Sequence, residues 1–440
     1  MRILLDAYFD NNFGDDLFIT TLLERYPDAL FYAFWNKTHP AVLEKALDYR
    51  NLVMLPGQCE LRGAMPFDGY VMIGGDVLPD GIDYGWRIDG MRQVKERGGF
   101  VAMLGFSLYE AYGEKTRQDL AAMAALADSI VARDRASAER FRALVPEAKV
   151  TESTDMAFAK PHRDRGNGGS PILGIAPRRK LYSTDQEHED FCKAMAAVAD
   201  GWLKNHPTGT VRFLALSTGE YDDRVTAADI RGFMAAPERT ETVAHTGTVP
   251  AFLERVAECT AMVPTRFHGL VFALIYGIPF VPVPYEVKLT QLLDEIGYEG
   301  TRIPYGQAVT EAVIAQTVAE LDQKFENREA VEKYRAKADL FFADADRLFR
   351  EERARKFVPT FGCAKLEENI ALKLENDQLR RDKEYLENQV LELQKWVEAL
   401  QQQRQAFEAQ NQELEAIRVR QEEQLQKIYK RFPPAKLLAK

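Results

Sequence analysis

Short apolar runs alternate with amphipathic segments from residue 2 to about residue 160, and this alternation limits the fold more than any other feature of the 440-residue chain. The runs that predict strands are residues 2–7, 29–34, 52–55, 70–73, 100–104 and 130–133. A loop or a helical pattern, such as that of residues 113–127, follows each of them. Strands that alternate with helices are typical of a parallel sheet covered on both faces.

A second series of the same kind begins at residue 172. Its strands are predicted at residues 172–176, 211–216, 242–245, 261–264 and 280–283, and its helices at 185–203, 249–257, 266–276 and 288–296. The polar, glycine-rich residues 162–171 lie between the two series, as an interdomain linker would. The sequence therefore predicts an α/β fold of two doubly wound, Rossmann-like domains, residues 1–161 and 172–325, that face each other across a cleft.

The strand signal ends after about residue 309, and residues 326–358 predict a highly charged helix. Beyond it, residues 364–430 carry a heptad repeat. One seam position of the repeat holds Leu372, Leu379, Leu386, Leu393, Leu400, Phe407, Leu414, Gln421 and Ile428. Asn376 and Asn411 at the other seam position favour two parallel strands, because a buried asparagine finds its partner only in register. We therefore expect a C-terminal α-helical coiled coil that forms a homodimer, with a solitary charged helix as the alternative.

The composition excludes several classes of protein. A net charge of −10 argues against a general nucleic-acid binder, which needs a basic face. The four cysteines form no CxxC pair, so neither a disulfide framework nor a zinc site is expected. The N-terminus reaches an acid after three apolar residues, and no apolar run approaches a membrane span, which predicts a cytoplasmic protein. The basic tail, residues 431–440, supports at most weak peripheral attraction to the inner face of a membrane.

Loops after the predicted strands of the first domain contain the first group of candidate functional residues, since ligands of open α/β sheets bind beyond the carboxyl ends of the strands. These residues are Asn12, Gly14, Asp15, Gly74, Gly75, Asp76 and Arg133. The paired glycines let backbone approach a ligand closely, and a carboxylate can accept a bond from a hydroxyl. Helix capping by the first loop, a tight turn at the glycines and a structural ion pair at the arginine are the alternatives.

The second domain contributes the sharpest local pattern, a buried strand that leads directly into an apolar helix through Arg266, Phe267, His268 and Gly269. A helix N-terminus and a guanidinium fork both suit an anion. The imidazole of His268 can carry a proton at neutral pH. Other loops of this domain bring Arg178, Glu286 and Lys288 towards the same cleft.

Taken together, these residues resemble the polysaccharide pyruvyl transferase family. The matching motifs are Asn12-x-Gly14-Asp15, Gly74-Gly75-Asp76, Arg133-Asp134-x-x-Ser137, Asp155-x-Ala157-Phe158, Arg266-Phe267-His268, Gly277-x-Pro279 and Tyr285-x-x-Lys288. The resemblance implies a fold similar to the two-domain glycosyltransferases of the GT-B type. It also implies transfer of a pyruvyl group from phosphoenolpyruvate to two hydroxyls of a sugar as a cyclic ketal, in cell-surface or exopolysaccharide biosynthesis. Phosphoenolpyruvate would be a co-substrate, and no cofactor is expected.

The resemblance also suggests roles for the candidate residues. Arg266, Arg178 and the helix N-terminus would hold the donor, and His268 would protonate its methylene carbon as general acid. Asp76 or Asp15 would orient or deprotonate a hydroxyl of the saccharide acceptor, whose identity and carrier, lipid or other, stay open. Two alternatives remain: a GT-B-type glycosyltransferase that uses a nucleotide sugar, and a non-catalytic scaffold that presents the coiled coil.

Overall fold

The structure, a computed structural model, describes residues 1–35, 49–56, 67–160, 169–181, 183–219, 222–246, 248–323, 328–355, 418–424, 426–427 and 430. The chain divides into two compact units, Met1–Pro359 and Thr360–Lys440. In the second unit, residues 418–424 are helical and exposed. The rest of the predicted coiled coil, apart from residues 426–427 and 430, lies outside the described residues, as do the basic tail and residues 162–168 of the predicted linker.

A sheet of seven parallel strands forms the centre of the first lobe. Its strands are β1 (Arg2–Asp6), β2 (Leu30–Trp35), β3 (Leu52–Pro56), β4 (Gly69–Ile73), β5 (Phe100–Phe106), β6 (Ser129–Ala132) and β7 (Val150–Glu152). They lie in the order β3-β2-β1-β4-β5-β6-β7. Every residue of β4 and β5 is buried, as expected for strands covered on both faces. The six predicted strands are confirmed, while β7 was missed because its three residues contain a single apolar side chain.

Helices cover this sheet. They are α1 (Phe13–Arg25), α2 (Gly85–Glu96), α3 (Glu114–Leu126) and α4 (Arg135–Leu144), followed by a 3-10 helix at Met156–Ala159. Asn12 caps α1, since its side chain accepts a hydrogen bond from the backbone N–H of Gly14 at 3.0 Å. Asp134 caps α4 in the same way, through the N–H of Ser137 at 2.7 Å.

Four parallel strands form the sheet of the second lobe: β8 (Ile172–Ala176), β9 (Thr210–Ala215), β10 (Thr240–Ala244) and β11 (Ala261–Pro264). They lie in the order β10-β9-β8-β11, so the predicted architecture of two parallel α/β sheets is confirmed. The strand predicted at residues 280–283 is reduced to a bridge between Phe280 and Met262. Beside this bridge, the N–H groups of Val281 and Val283 donate to the carbonyls of Met262 and Pro264, each at 3.1 Å, whereas the prolines at positions 282 and 284 have no N–H with which to pair a further strand.

The helices of the second lobe are α5 (Asp185–Asn205), α6 (Asp223–Phe233), α7 (Val249–Ala257), α8 (Phe267–Ile275), α9 (Val287–Glu295) and α10 (Glu311–Leu321). Among the described residues, no helix is both long and apolar enough to cross a membrane.

The predicted charged helix at residues 326–358 proved to be two helices, α11 (Arg328–Ala338) and α12 (Ala343–Arg355). Phe341 and Phe349 pack into the core of the first lobe, where Phe349 stacks on Tyr26 at 3.7 Å between ring centroids. The prediction of one helix was wrong because the many charges obscured a short apolar face. The segment therefore returns to the first lobe after the second lobe is complete.

The two lobes meet at the beginning of α1. Asn12 forms an antiparallel bridge with Ser217, and the N–H of Phe13 donates to the carbonyl of Leu216 at 2.8 Å. Deeper in this contact, Asp16 pairs with His245 at 2.7 Å, and both side chains are completely buried. The loop after β1 thus belongs to both lobes, which places the carboxyl ends of the two sheets on opposite sides of one cleft.

Candidate active site

A cavity of about 730 Å³ occupies the cleft between the lobes. The predicted site residues that line it are Asn12, Asp15, Gly75, Asp76, Arg133, Arg178, Arg266, Phe267, His268, Glu286 and Lys288. Gly14, Gly74 and Gly269 are the predicted residues that do not line it. Most of the predicted site residues therefore line the cavity, although several of them also hold other side chains in position.

His268 lies in the first turn of α8, directly after β11. The edge of its imidazole packs against Phe18, with ring centroids 5.5 Å apart, and its side chain is only 13% exposed. A Cβ atom on Gly14 would overlap Nδ1 of this ring, so the glycine allows the imidazole to lie against the backbone of α1. Gly14 therefore leaves room for His268. It was predicted to bind substrate, but it does not line the cavity.

Asp155 faces His268 and was missing from the predicted site. Its Oδ2 lies 3.6 Å from Nε2 of His268 and 3.8 Å from Nη1 of Arg133, and its side chain is 1% exposed. Burial alone would raise the pKa of Asp155, but His268 and Arg133 outweigh it and hold the pKa below its usual value. The Asp-x-Ala-Phe motif was the signal that could have identified Asp155.

Arg133 follows β6 in the first lobe, and its side chain contacts Phe267 of the second lobe. Its Nη2 donates to Oγ of Ser107 at 2.6 Å, and its guanidinium lies 4.9 Å from the centre of the Phe267 ring. A Cβ atom on Gly75 would overlap Nη1 of this arginine, which explains the glycine. Arg133 is only 5% exposed. Arg133 is thus a buried cation with two carboxylates near it, and because it also lines the cavity, its predicted role in substrate binding stays a prediction.

Asp76 of the first lobe forms an ion pair across the cleft with Lys288 of the second, at 2.8 Å. Lys288 also contacts Glu286 at 3.0 Å, and Arg133 lies 3.7 Å from Asp76. Desolvation opposes the charge on Asp76, but these cations outweigh it and hold the pKa of the carboxyl below its usual range. A carboxylate held ionised in this way is a weak proton acceptor.

Asp15 lies in the same cavity under the opposite influence. Burial, with the neighbouring charges of Asp16 and Asp76, raises the pKa of Asp15 to about 8. When ionised, a carboxyl group with a raised pKa is a stronger base than one whose pKa is lowered. The electrostatics therefore favour Asp15 over Asp76 as the proton acceptor, whereas the sequence placed Asp76 among the catalytic residues and Asp15 among the binding residues.

Arg266 is held by Asp223, a residue that sequence reasoning missed. The Nε and Nη2 atoms of Arg266 donate to the Asp223 carboxylate at 2.9 and 2.5 Å. Oδ2 of Asp223 also accepts a bond from the N–H of Ser217 at 2.9 Å. The first residue of α6 thus fixes the guanidinium plane. No local pattern marks Asp223, because its partner lies 43 residues away.

Two arginines follow β8, and the structure separates them. Arg178 lines the cavity, whereas Arg179 is outside it and pairs with Asp185 at 2.6 Å on the surface. The preference for Arg178 as the candidate donor ligand is thus consistent with its position.

Backbone requirements explain the remaining glycines. Gly74 has a φ angle of 141°, which favours glycine. A Cβ atom on Gly269 would lie 2.9 Å from Cβ of Ala176, so this glycine permits close packing of α8 on β8. Gly14, Gly74 and Gly269 do not line the cavity, whereas Gly75 does, so its predicted contact with a substrate stays a prediction.

Two features lie outside the cleft. A cavity of about 840 Å³ lies between the second lobe and α11, where it is lined by Trp202, His206 and Arg335 among others, and by none of the candidate residues. Among the described residues, His188, Cys192 and Asp229 place possible metal-ligand atoms within 4.8 Å of one another, on α5 and α6. Neither feature contributes to the cleft.

The fold and the cleft define a two-lobed α/β protein whose candidate site lies at the carboxyl ends of two parallel sheets, where ligands of such sheets bind. The sequence profile of the polysaccharide pyruvyl transferase family matches residues 4–287. The chain belongs to this family, which is one of transferases. No curated protein matches the chain in sequence.

The comparison with solved structures gives matches of low sequence identity. The HepE protein of Anabaena, in complex with UDP and glucose, is 12% identical and aligns over 81% of this chain and 99% of its own, with a TM-score of 0.45. MnaA of S. aureus with UDP is 10% identical over 82% and 99% of the two chains, at 0.48. Sucrose-phosphate synthase of Thermosynechococcus elongatus is 12% identical over 81% and 99%, at 0.42. These scores assign neither a ligand nor a reaction to the chain.

Proposed function

We propose that the chain transfers a pyruvyl group from phosphoenolpyruvate to two hydroxyls of a saccharide, forming a cyclic ketal in cell-surface or exopolysaccharide biosynthesis. The observation that carries the proposal is the pairing of His268 with the buried Asp155, 3.6 Å away, at the helix N-terminus that Arg266 begins. Membership of the family also supports the proposal. In addition, the reaction of an enol phosphate requires a proton donor beside a group that binds anions, and His268 at the N-terminus of α8 could meet both needs.

The donor carries a carboxylate and a phosphate close together. Arg178, Arg266 and the N-terminus of α8 border one part of the cavity and offer several hydrogen-bond donors to such an anion. Because Asp223 already holds Arg266 by Nε and Nη2, the guanidinium is oriented before the donor arrives. This preorganisation lowers the entropy lost on binding.

The proposed reaction begins with a proton from His268 to C3 of phosphoenolpyruvate, which becomes a methyl group and leaves C2 electrophilic. One sugar hydroxyl adds to C2, and the second then displaces the phosphate as the C2–O bond breaks. Of the two hydroxyl protons, one replaces the proton that His268 gave, and the other leaves with the phosphate. Asp155 faces the imidazole of His268, and Asp15 accepts the second hydroxyl proton and passes it to the leaving phosphate.

Calorimetry tests the donor. The full-length protein should bind phosphoenolpyruvate, and Arg178→Ala should weaken this binding. Arg179→Ala is the matched control, because Arg179 pairs with Asp185 on the surface and lies outside the cavity. Binding of UDP with no binding of phosphoenolpyruvate would contradict the proposal and support a nucleotide-sugar donor instead.

A further inference from the structure

Two exposed tyrosines of the first lobe line the cleft. Tyr8 is 41% exposed and Tyr109 is 48% exposed, and both line the cavity. Large aromatic side chains in a concave, partly polar site are typical of ligand contacts, since the ring offers a broad apolar face and the hydroxyl a polar edge.

The strand order places these tyrosines on either side of Asp76. Tyr8 follows β1, Asp76 follows β4 and Tyr109 follows β5, and in the sheet β4 lies between β1 and β5. The negative charge of Asp76 acts on both phenols, in addition to the larger effect of partial burial, which raises the pKa of each. The first lobe therefore presents a carboxylate flanked by two aromatic side chains.

The backbone beneath Tyr109 is fixed. Its N–H donates to the hydroxyl of Tyr112 at 3.0 Å, and that hydroxyl donates to the carbonyl of Leu78 at 2.9 Å. Tyr112 is buried, whereas Tyr109 is exposed. The site thus combines a rigid base with an accessible ring, which limits the entropy lost when a ligand stacks on it.

The cavity has room for a second substrate. At about 730 Å³ it is as large as pockets that enclose drug-sized ligands, whereas phosphoenolpyruvate has only ten heavy atoms. Arg178 and Arg266, the proposed donor ligands, belong to the second lobe. The wall with Tyr8 and Tyr109 belongs to the first.

We propose that Tyr8, Asp76 and Tyr109 form the acceptor subsite and that this subsite recognises a single pyranose ring. A pyranose has a C–H face that stacks on a tyrosine ring and equatorial hydroxyls that donate to a carboxylate, so it matches both components. The reaction that would follow rests on the proposed function, but the binding of the sugar does not.

The test uses methyl β-D-galactopyranoside, methyl β-D-glucopyranoside and methyl α-D-mannopyranoside as probes of the full-length protein. Saturation-transfer NMR should show contact with the C–H protons of one face of at least one of these rings. Tyr8→Ala and Tyr109→Ala should each weaken binding by roughly two- to tenfold, the effect expected from one aromatic contact. Tyr8→Phe and Tyr109→Phe should keep most of it.

Phe233→Ala is the matched control, because Phe233 is 44% exposed on α6 and does not line the cavity. Its sugar binding should equal that of the unaltered protein, and all variants should keep its melting temperature. Absence of binding by all three glycosides would overturn the inference. The inference would also be overturned if the phenylalanine variants bound the sugars as weakly as the alanine variants do, or if the alanine variants lost phosphoenolpyruvate binding.

The two proposals fail separately in this design. If the glycosides bind in a tyrosine-dependent manner but phosphoenolpyruvate does not bind, the proposed donor is wrong and the acceptor subsite stands. If phosphoenolpyruvate binds normally while the tyrosine substitutions leave sugar binding unchanged, the acceptor subsite is wrong and the donor stands.

Discussion

A Cβ atom on Gly14 would overlap Nδ1 of His268, so the first turn of α1 in one lobe leaves no room for a side chain beside the imidazole of the other. We predict that Gly14→Ala displaces the ring. Misplacement of a reacting group by about 1 Å can cost on the order of a hundredfold in rate. Phosphate release from phosphoenolpyruvate should fall by that order, with a smaller effect on the melting temperature.

Gly232→Ala provides the control for this substitution. Gly232 lies in α6, and nothing lies within 4 Å of a Cβ atom built on it. Alanine there should leave phosphate release unchanged and preserve or raise the melting temperature, because alanine favours the helix. Equal activity of both variants would show that the contact between Gly14 and His268 does not set the position of the imidazole.

The raised pKa of Asp15 predicts a pH dependence of stability. A carboxyl group titrates near 3.9 in an unfolded chain, and burial raises the pKa of Asp15 to about 8 in the folded protein. The folded state therefore binds this proton more tightly, and its contribution to the free energy of unfolding falls as the pH rises from about 4 to about 8. The variant Asp15→Asn has no carboxyl group at this position and therefore does not lose this stability as the pH rises.

The melting temperature of Asp15→Asn, relative to the unaltered protein, should therefore rise steadily between pH 5 and pH 8. Differential scanning fluorimetry across this range measures it. A constant difference would mean that Asp15 is ionised throughout, and a general-base role that depends on its raised pKa would be lost with it.

The sequence predicted the helices and strands, whose patterns are local. It missed residues that meet their partners only in the folded protein. The alternation of apolar runs identified β1, β4, β6, β8 and β11, and the loops after these strands contain most of the predicted residues that line the cleft. Asp223 holds Arg266 and Asp155 faces His268, and each of these partners is more than 40 residues away along the chain. No period or spacing encodes such a contact.

The glycines show the same limit in another form. Gly14 and Gly75 are recognisable as positions where something approaches the backbone. The sequence assigned that role to a substrate, whereas the structure places His268 and Arg133 there. Only the fold identifies the approaching group.

The buried pair of Asp16 and His245 should contribute strongly to the joining of the lobes. Its atoms lie 2.7 Å apart, with neither side chain exposed. Removing one partner leaves an uncompensated buried group, which typically costs about 3–5 kcal/mol. His245→Ala should lower the free energy of unfolding, measured with urea, by that amount.

The double variant Asp16→Ala with His245→Ala should lose less than the sum of the two single losses, because neither group is then left without its partner. Strict additivity would contradict an interaction between these two side chains.

The heptad repeat of residues 364–430 predicts a homodimer, because its apolar seam needs a second helix to cover it. Multi-angle light scattering should give twice the chain mass for the full-length protein and the single mass for a chain that ends at residue 360. Equal oligomeric states of the two proteins would show that the repeat is not the dimer interface.

The most direct test of the account is phosphate release by His268→Gln. Glutamine preserves much of the side-chain volume and polarity but cannot give a proton to C3 of phosphoenolpyruvate, and loss of a general acid typically costs about a hundred- to ten-thousand-fold in rate. With phosphoenolpyruvate and a panel of lipid-linked and nucleotide-linked sugars, the unaltered protein should release phosphate. The variant should lose this activity by that factor while keeping its melting temperature and its affinity for phosphoenolpyruvate. A variant that melts several degrees lower but stays active in the folded fraction would contradict the catalytic role of His268.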